Sequence, residues 1–193
     1  MSKWLIALLL LAGLCAAHAA PSAPASSDDL DKLLADRGLL SQLDQVRQNV
    51  RSRASELVVS AMGFLGVPYR RGGNSADAGF DCSGFVRAMY EQTVGLILPR
   101  RANEQAAATQ TIDKNDLQPG DLVFFNTMRK AFSHVGIYVG DGKFIHSPKP
   151  GSEVRVEDMQ KSYWQRRFDG ARRVVVDAAA AVAAGPTTGN ARP

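Results

Sequence analysis

One cysteine and two histidines carry most of the chemistry this chain could perform. The 193 residues include two cysteines, Cys15 and Cys82, and three histidines, His18, His134 and His146. Cys15 and His18 fall in a leader-like start, so a processed chain keeps Cys82, His134 and His146. A thiolate is the nucleophilic form of cysteine, and a free thiol titrates at about 8.5. Gly79-Phe80-Asp81-Cys82-Ser83-Gly84-Phe85, continued by Val86 and Met89 at helical spacing, places Cys82 at a helix start. The partial positive charge there favours the anion, and a neighbouring imidazolium favours it further. A lone cysteine can equally be a small buried apolar residue, a reading that the polar neighbours Asp81 and Ser83 weaken. Gly84 leaves room for a substrate backbone to approach. One imidazole can take the thiol proton and return it to a leaving amine, and a second can orient the first, as a carboxylate or amide does in other triads. His134 and His146 are assigned those roles in that order. The oxyanion of such a reaction needs fixed donors; the Cys82 backbone N–H is one, and Tyr69, in the loop before the nucleophile, is the candidate for the other.

Sheet geometry tests whether the two rings can meet. His134 to Val139 and Lys143 to Ser147 read as strands around Gly140-Asp141-Gly142. A loop of Asp141 and Gly142 alone, with Gly140 facing Lys143, would turn the two histidines to opposite faces. A loop of Gly140, Asp141 and Gly142 places Val139 opposite Lys143 and His146 opposite Gly136. The rings are then diagonal neighbours on one face, about 7–8 Å apart between backbones. Gly142 suits the positive φ that ends such a loop, so the three-residue loop is expected. Val135, Ile137 and Val139 should face the core.

The elements that must position these groups follow from the rest of the pattern. Lys3, the apolar run Leu5 to Leu14 and Ala17-His18-Ala19 form a secretory signal peptide over 1–19. The run is too short for a stable membrane span, which needs about 20 residues. Leu14 before Cys15 argues against lipidation. Residues 20–50 form a linker and helical segment: Pro21 to Ser27 is linker, and Asp28 to Val50 is one or two amphipathic helices with Gly38 as a break. Ser52 to Leu65 is a further helix with Leu57, Val58, Ala61 and Met62 on its apolar side. Tyr69 to Asp81 is a Gly-rich loop, Cys82 to Thr93 the nucleophile helix, and Leu98 to Thr109 a loop entering a short helix. Asp121 to Phe125 and Phe168 to Val176 are strands, and 177–193 is an Ala-, Gly- and Pro-rich disordered tail. Helices precede an antiparallel sheet, which makes the class α+β.

Charge and composition exclude some functions. The net charge is +4, from 23 Lys+Arg against 19 Asp+Glu; removing Lys3 with the leader leaves 22 − 19 = +3. That mild basicity suits a polyanionic envelope or an ordinary solvated surface. No basic cluster is interleaved with aromatics, so nucleic acid is not an expected partner. One remaining cysteine permits no internal disulfide and leaves a free thiol in an oxidising compartment.

Gly66-Val67-Pro68-Tyr69, Gly72-Gly73 and Phe80-Asp81-Cys82-Ser83-Gly84-Phe85-Val86 resemble the NlpC-type family of papain-like cell-wall peptidases. Leu98-Pro99-Arg100, Leu117 to Phe125, His134-Val135-Gly136-Ile137-Tyr138 and Phe144-Ile145-His146 continue the match in order. The resemblance covers about Ser55 to Val176 and implies a papain-like domain over 51–176, with the nucleophile helix packed on a central antiparallel sheet. It implies a Cys82–His134–His146 triad and an oxyanion Tyr69. It implies no cofactor and no metal. Asp81 and Ser83 match positions that can help recognise substrate, although Asp81 could equally be only a helix N-cap. The implied activity is hydrolysis of peptidoglycan stem peptides, between D-γ-glutamyl and a diamino acid such as meso-diaminopimelate. The expected location is the periplasm, with the extracellular medium as the alternative. Relatives often carry a wall-binding module that 20–50 is too short to supply, and Arg101 stands where they often have Ser or Thr.

Three other readings remain. Cys82, His134 and His146 could hold zinc with an open fourth position. The domain could bind wall peptides without cleaving them. The nucleophile could serve acyl transfer or another amide. Asp28 to Val50 is also a candidate to cover the cleft and limit access.

Overall fold

A computed structural model describes residues 38–175. The expected leader, the linker, the first part of the helical segment and the tail fall outside them. The described residues divide into two units, 38–45 and 46–175. In the first, Gly38 makes a positive-φ turn and Ser41 Oγ donates back to its carbonyl, 2.6 Å away, at the start of helix α1 (Leu39–Met62).

Helix α1 corrects the expected division into separate helices. It runs unbroken for 24 residues because no Gly or Pro lies between Leu39 and Met62. Gly38 does mark its N-terminal boundary. Of the expected apolar side, Leu57 and Ala61 are buried, Val58 is half-buried and Met62 is exposed.

Helix α2 (Cys82–Val94) starts at an Asp81 N-cap and stops at Gly95, whose φ of 77° is the left-handed cap conformation. It packs with α1 on one face of a six-stranded sheet. The strands are β3 (Gln110–Ile112), β4 (Leu122–Phe125), β5 (His134–Gly140), β6 (Lys143–His146), β7 (Arg155–Asp158) and β8 (Phe168–Arg173), in the order β3-β8-β4-β5-β6-β7. Every neighbouring pair is antiparallel. A two-stranded ribbon, β1 (Asn74–Ser75) with β2 (Gly79–Phe80), leads into α2. Short helices α3 (Ala102–Ala107) and α4 (Ser162–Gln165) and a 3-10 turn (Lys114–Asp116) complete the described elements.

Strand alternation divides the core in two. Leu122, Phe124, Val135, Ile137 and Ile145 face Leu57, Ala61, Phe85, Val86 and Met89 of the helices. Val123, Phe125 and Phe144 face the other way, against Met159 and Trp164. The expected core face of β5 is present: Val135 and Ile137 are fully buried, and Val139 is half-buried against the same cluster.

The β5–β6 hairpin differs from expectation in its turn. Gly140 pairs with Lys143, so the loop holds only Asp141 and Gly142. Both have positive φ, 51° and 71°, the requirement of a two-residue turn whose twist matches the strands. The odd residue becomes a bulge instead, because the register shifts between Tyr138 and Gly140. Beyond the bulge Ile137 pairs with Ile145, which puts His146 opposite Gly136. The facing inferred from the sequence is therefore correct, though the loop inferred is not.

Candidate active site

Three adjacent strands and one helix start build the site. His134 opens β5, His146 closes β6, and Glu157 lies on β7 opposite Phe144. All three side chains are on the Trp164 side of the sheet. Nε2 of His134 lies 2.6 Å from Nδ1 of His146, with the rings nearly perpendicular at 84°. A Cβ on Gly136 would come within 3.1 Å of the His146 Cβ and 2.7 Å of Phe144, so glycine is needed for this approach. Trp164 stacks on His134, 5.8 Å between centroids and 22° between planes.

Cys82, the free cysteine of the described residues, opens α2 on the opposite face of the sheet and lines the same cleft as His134, which opens β5. The backbone amides of Val135 and Ser83 favour its thiolate. Cys82, His134, Tyr69 and Trp164 line one open cleft of about 630 Å³. Arg71, Lys149, Arg155 and Lys161 also line it, against a single carboxylate, Glu157. The Tyr69 backbone is fixed by its N–H to Ser152 O, 2.7 Å, and its phenol shares the cleft with the thiol. His146 sits behind His134, fully buried.

Burial sets the protonation states. It pushes the Cys82 thiol up to about 11, aided by the Asp81 carboxylate and opposed by the Val135 and Ser83 amides and Arg100. This overturns the expectation of a thiolate favoured by the helix start. The N-cap carboxylate offsets the helix's partial positive charge, and burial outweighs what is left. Burial also takes His134 well below 6.5, with His146 adding to the effect and Glu157 opposing it. His146 is lowered by burial, with Glu157 again opposing. The resting site is thus a neutral thiol beside two neutral imidazoles. Partial burial, then the Cys82 and Asp81 charges, raise Tyr69.

Asp81 and Ser83 do not line the cleft. Asp81 Oδ1 caps α2 through Gly84 N, 2.7 Å, and Oδ2 accepts from Gly72 N, 3.0 Å. Arg100 takes both oxygens, and its Nη1 also donates to Ser83 Oγ, 3.0 Å. These bonds make Asp81 the N-cap of α2. The room at Gly84 is likewise not for substrate: a Cβ there would collide with the Gly73 carbonyl and approach Asp81 Oδ1 to 2.9 Å.

Residues 28–50 were a candidate cover for the cleft; 28–37 lie outside the described residues. From Val46 on, α1 lines a separate groove with Tyr90, Pro119 and Gly120, away from Cys82.

Sequence reasoning did not find Glu157, Trp164 or the Arg100–Asp81 pair. Arg155-Val156-Glu157-Asp158 is a charged edge strand with no alternating apolar signal, and Trp164 sits in a single helical turn. Arg100 was visible in its motif, but its partner lies 19 residues away. Among the described residues no group of three or more His, Cys, Asp or Glu is placed to share a metal ion.

The profile of the NlpC/P60 family matches residues 66–173. Murein DD-endopeptidase MepH of Escherichia coli (strain K12) is 42% identical over 135 residues, 68% of this chain and 50% of that protein. Gamma-D-glutamyl-L-lysine dipeptidyl-peptidase of Bacillus subtilis (strain 168) is 36% identical over 125 residues, 64% of this chain and 42% of that protein. The chain thus spans about half the length of the curated relatives it matches. The crystal structure of an NlpC/P60 family protein from Bacillus cereus superposes with a TM-score of 0.58 at 38% identity, covering 62% of this chain and 39% of that one. The fold is the papain-like α+β arrangement, a nucleophile-bearing helix on an antiparallel sheet.

Proposed function

The chain belongs to the NlpC/P60 family, and on that premise we propose that it is a cysteine peptidase hydrolysing amide bonds in the peptide stems of peptidoglycan. The observation that carries this reading is the convergence of Cys82 and His134 in one cleft, with His146 bonded behind at 2.6 Å. Nε2 of His134 is occupied by His146, so Nδ1 is its free nitrogen. That nitrogen takes the Cys82 proton as the sulfur attacks the carbonyl carbon. The tetrahedral oxyanion accepts from the Cys82 backbone N–H and the Tyr69 hydroxyl. Its collapse breaks the C–N bond, and the leaving amine receives the proton from His134. Water, deprotonated by His134, then attacks the thioester; the new acid leaves and Cys82 recovers its proton.

The relatives' names point to stem peptides but not to one bond: one names a DD-endopeptidase and the other a γ-D-glutamyl peptidase. Within the proposal, the bond cut is D-γ-glutamyl–diamino acid. The cationic rim of Arg71, Lys149, Arg155 and Lys161 suits the free carboxylates flanking that bond. Export by the 1–19 leader to the periplasm, with the medium as alternative, would place enzyme and wall together.

Mass spectrometry of defined muropeptides incubated with wild type and Cys82→Ala tests the reading. Expected are shorter stem fragments from wild type and none from Cys82→Ala. Monomers released from cross-linked dimers with intact stems would move the cut to the DD bond. A wild type that binds muropeptides and releases nothing would make the domain a binding module. Iodoacetamide should stop turnover and a chelator should not; the reverse would favour zinc.

A further inference from the structure

Resting on the Cys82–His134–His146 reading above, we propose that Glu157 is a positioning residue, the fourth member of this chain of groups, which sets the tautomer of both histidines and so leaves His134 able to accept the thiol proton. An ionised carboxylate only accepts hydrogen bonds. Glu157 Oε2 accepts from Trp164 Nε1, 2.6 Å, and Oε1 accepts from Arg155 Nε, 2.7 Å. Oε1 also faces His146 Nε2 at 3.6 Å. That is longer than an ordinary hydrogen bond of about 3 Å, yet this buried nitrogen has no other partner. The groups facing His146 are His134 from β5, the Phe144 ring from its own strand, Glu157 and Arg155 from β7, and the Trp164 ring from α4.

With a carboxylate as its neighbour, His146 places its proton on Nε2. Its Nδ1 is then bare and can only accept. The 2.6 Å contact must run from His134 Nε2–H to His146 Nδ1, and a neutral His134 is left with a lone pair on Nδ1, the nitrogen that His146 does not engage. Remove the carboxylate, and nothing prevents the opposite chain. His146 would carry its proton on Nδ1 and donate to His134 Nε2, and His134 would carry its own on Nδ1, where no proton can be taken. Trp164 adds a mechanical link, because the ring stacked on His134 is anchored through its indole N–H to Glu157. The bland alternative is that Glu157 only ties the edge strand to Arg155 and Trp164.

The test is two-bond ¹⁵N–¹H correlation spectroscopy on the folded chain with ¹⁵N-labelled histidine, at neutral to mildly alkaline pH. His134→Gln and His146→Gln variants assign the rings. In wild type both rings should be neutral with the proton on Nε2. In Glu157→Gln, which keeps the shape and the Trp164 contact, a measurable fraction of His134 should carry its proton on Nδ1. Turnover should fall between about tenfold and about 10⁴-fold with KM little changed; the upper figure is the loss when the direct orienting carboxylate of a serine triad is neutralised. A wild-type His146 protonated on Nδ1 overturns the proposal, and so do unchanged tautomers in a folded Glu157→Gln. The wild-type spectrum decides even if the variant does not fold. It needs no substrate, so a wild type with the expected tautomers but no peptidase activity would count against the proposed reaction and not against this arrangement.

Discussion

Arg100 grips the Asp81 carboxylate with both terminal nitrogens, Nη1 2.9 Å from Oδ1 and Nη2 2.6 Å from Oδ2. The pair ties the segment after α2 to the cap of α2, and it stands beside the nucleophile. Asp81 therefore has two opposed effects: it holds the helix start, and its charge helps raise the Cys82 thiol. Asp81→Asn should lose about 1–3 kcal/mol in urea unfolding, from a weakened cap and a charged group left without its partner. It should also make Cys82 alkylate faster at fixed pH, by about tenfold for each unit its pKa falls. A less stable variant with an unchanged alkylation rate would remove Asp81 from the control of the thiol.

The raised thiol has a direct signature. Iodoacetamide reacts with the thiolate, and Cys82 is pushed up to about 11. The alkylation rate of wild type should climb by about tenfold per pH unit from neutral towards pH 10, following the thiolate fraction. A plateau reached by about pH 9.5, the behaviour of an ordinary free cysteine that titrates at about 8.5, would contradict the burial argument.

Acid should weaken the fold through the histidines. Their folded pKa values lie below 6.5, so below that value the unfolded chain binds more protons than the folded one, and stability rises with pH across the window. The contribution is complete above 6.5 and is lost as pH falls from 6.5 towards the lowered values. Glu157 acts in the same direction lower down. Its carboxylate is held well below the usual range, chiefly by His146, with Trp164 and Arg155 adding to the effect. Its contribution is complete above 4.5 and lost as pH falls through the lowered value. The drop in Tm between pH 7 and pH 5 should therefore be smaller in His134→Gln than in wild type. An equal drop would place the acid sensitivity elsewhere.

Tyr69→Phe keeps the ring and removes the hydroxyl. Loss of one oxyanion donor costs about 10²–10³ in kcat, with KM expected to stay near the wild-type value. A kcat within about twofold of wild type would leave the Cys82 backbone N–H without Tyr69 as its partner in the oxyanion role.

Gly84→Ala probes a close approach rather than a contact with substrate. Its Cβ would meet the Gly73 carbonyl, so either the Gly73 loop or the first turn of α2 must move. The expected cost is about 1–3 kcal/mol, as for overpacking elsewhere, read from urea unfolding, with reduced turnover because Cys82 sits on that turn. Full stability would mean that the loop yields freely.

The parts of this site legible in the sequence are those that local chemistry decides. Asp81 caps a helix wherever it precedes this apolar pattern, and that places Cys82 on the first turn whatever surrounds it. Strand periodicity left two facings open, and the three-residue loop inferred from Gly142 selected the one that puts His134 and His146 together. The turn was misjudged and the facing was not, because a three-residue loop and a two-residue loop with one bulge leave the same parity beyond them. Continuity of α1 was also available in principle, since no residue between Leu39 and Met62 interrupts it.

What the tertiary structure alone decided is how charge and solvent are distributed around those residues. Glu157 belongs to a strand with no apolar rhythm, and it becomes part of the site only because β7 pairs with β6 and brings it within 3.6 Å of a buried imidazole. Trp164 reaches His134 from 30 residues later through a single turn of helix. The thiol's high pKa could not be read from a helix start, because desolvation depends on everything packed around the sulfur, and most of that is distant in sequence. Periodicity and capping act over a few residues and are written in them; burial and ion pairing are properties of the assembled fold.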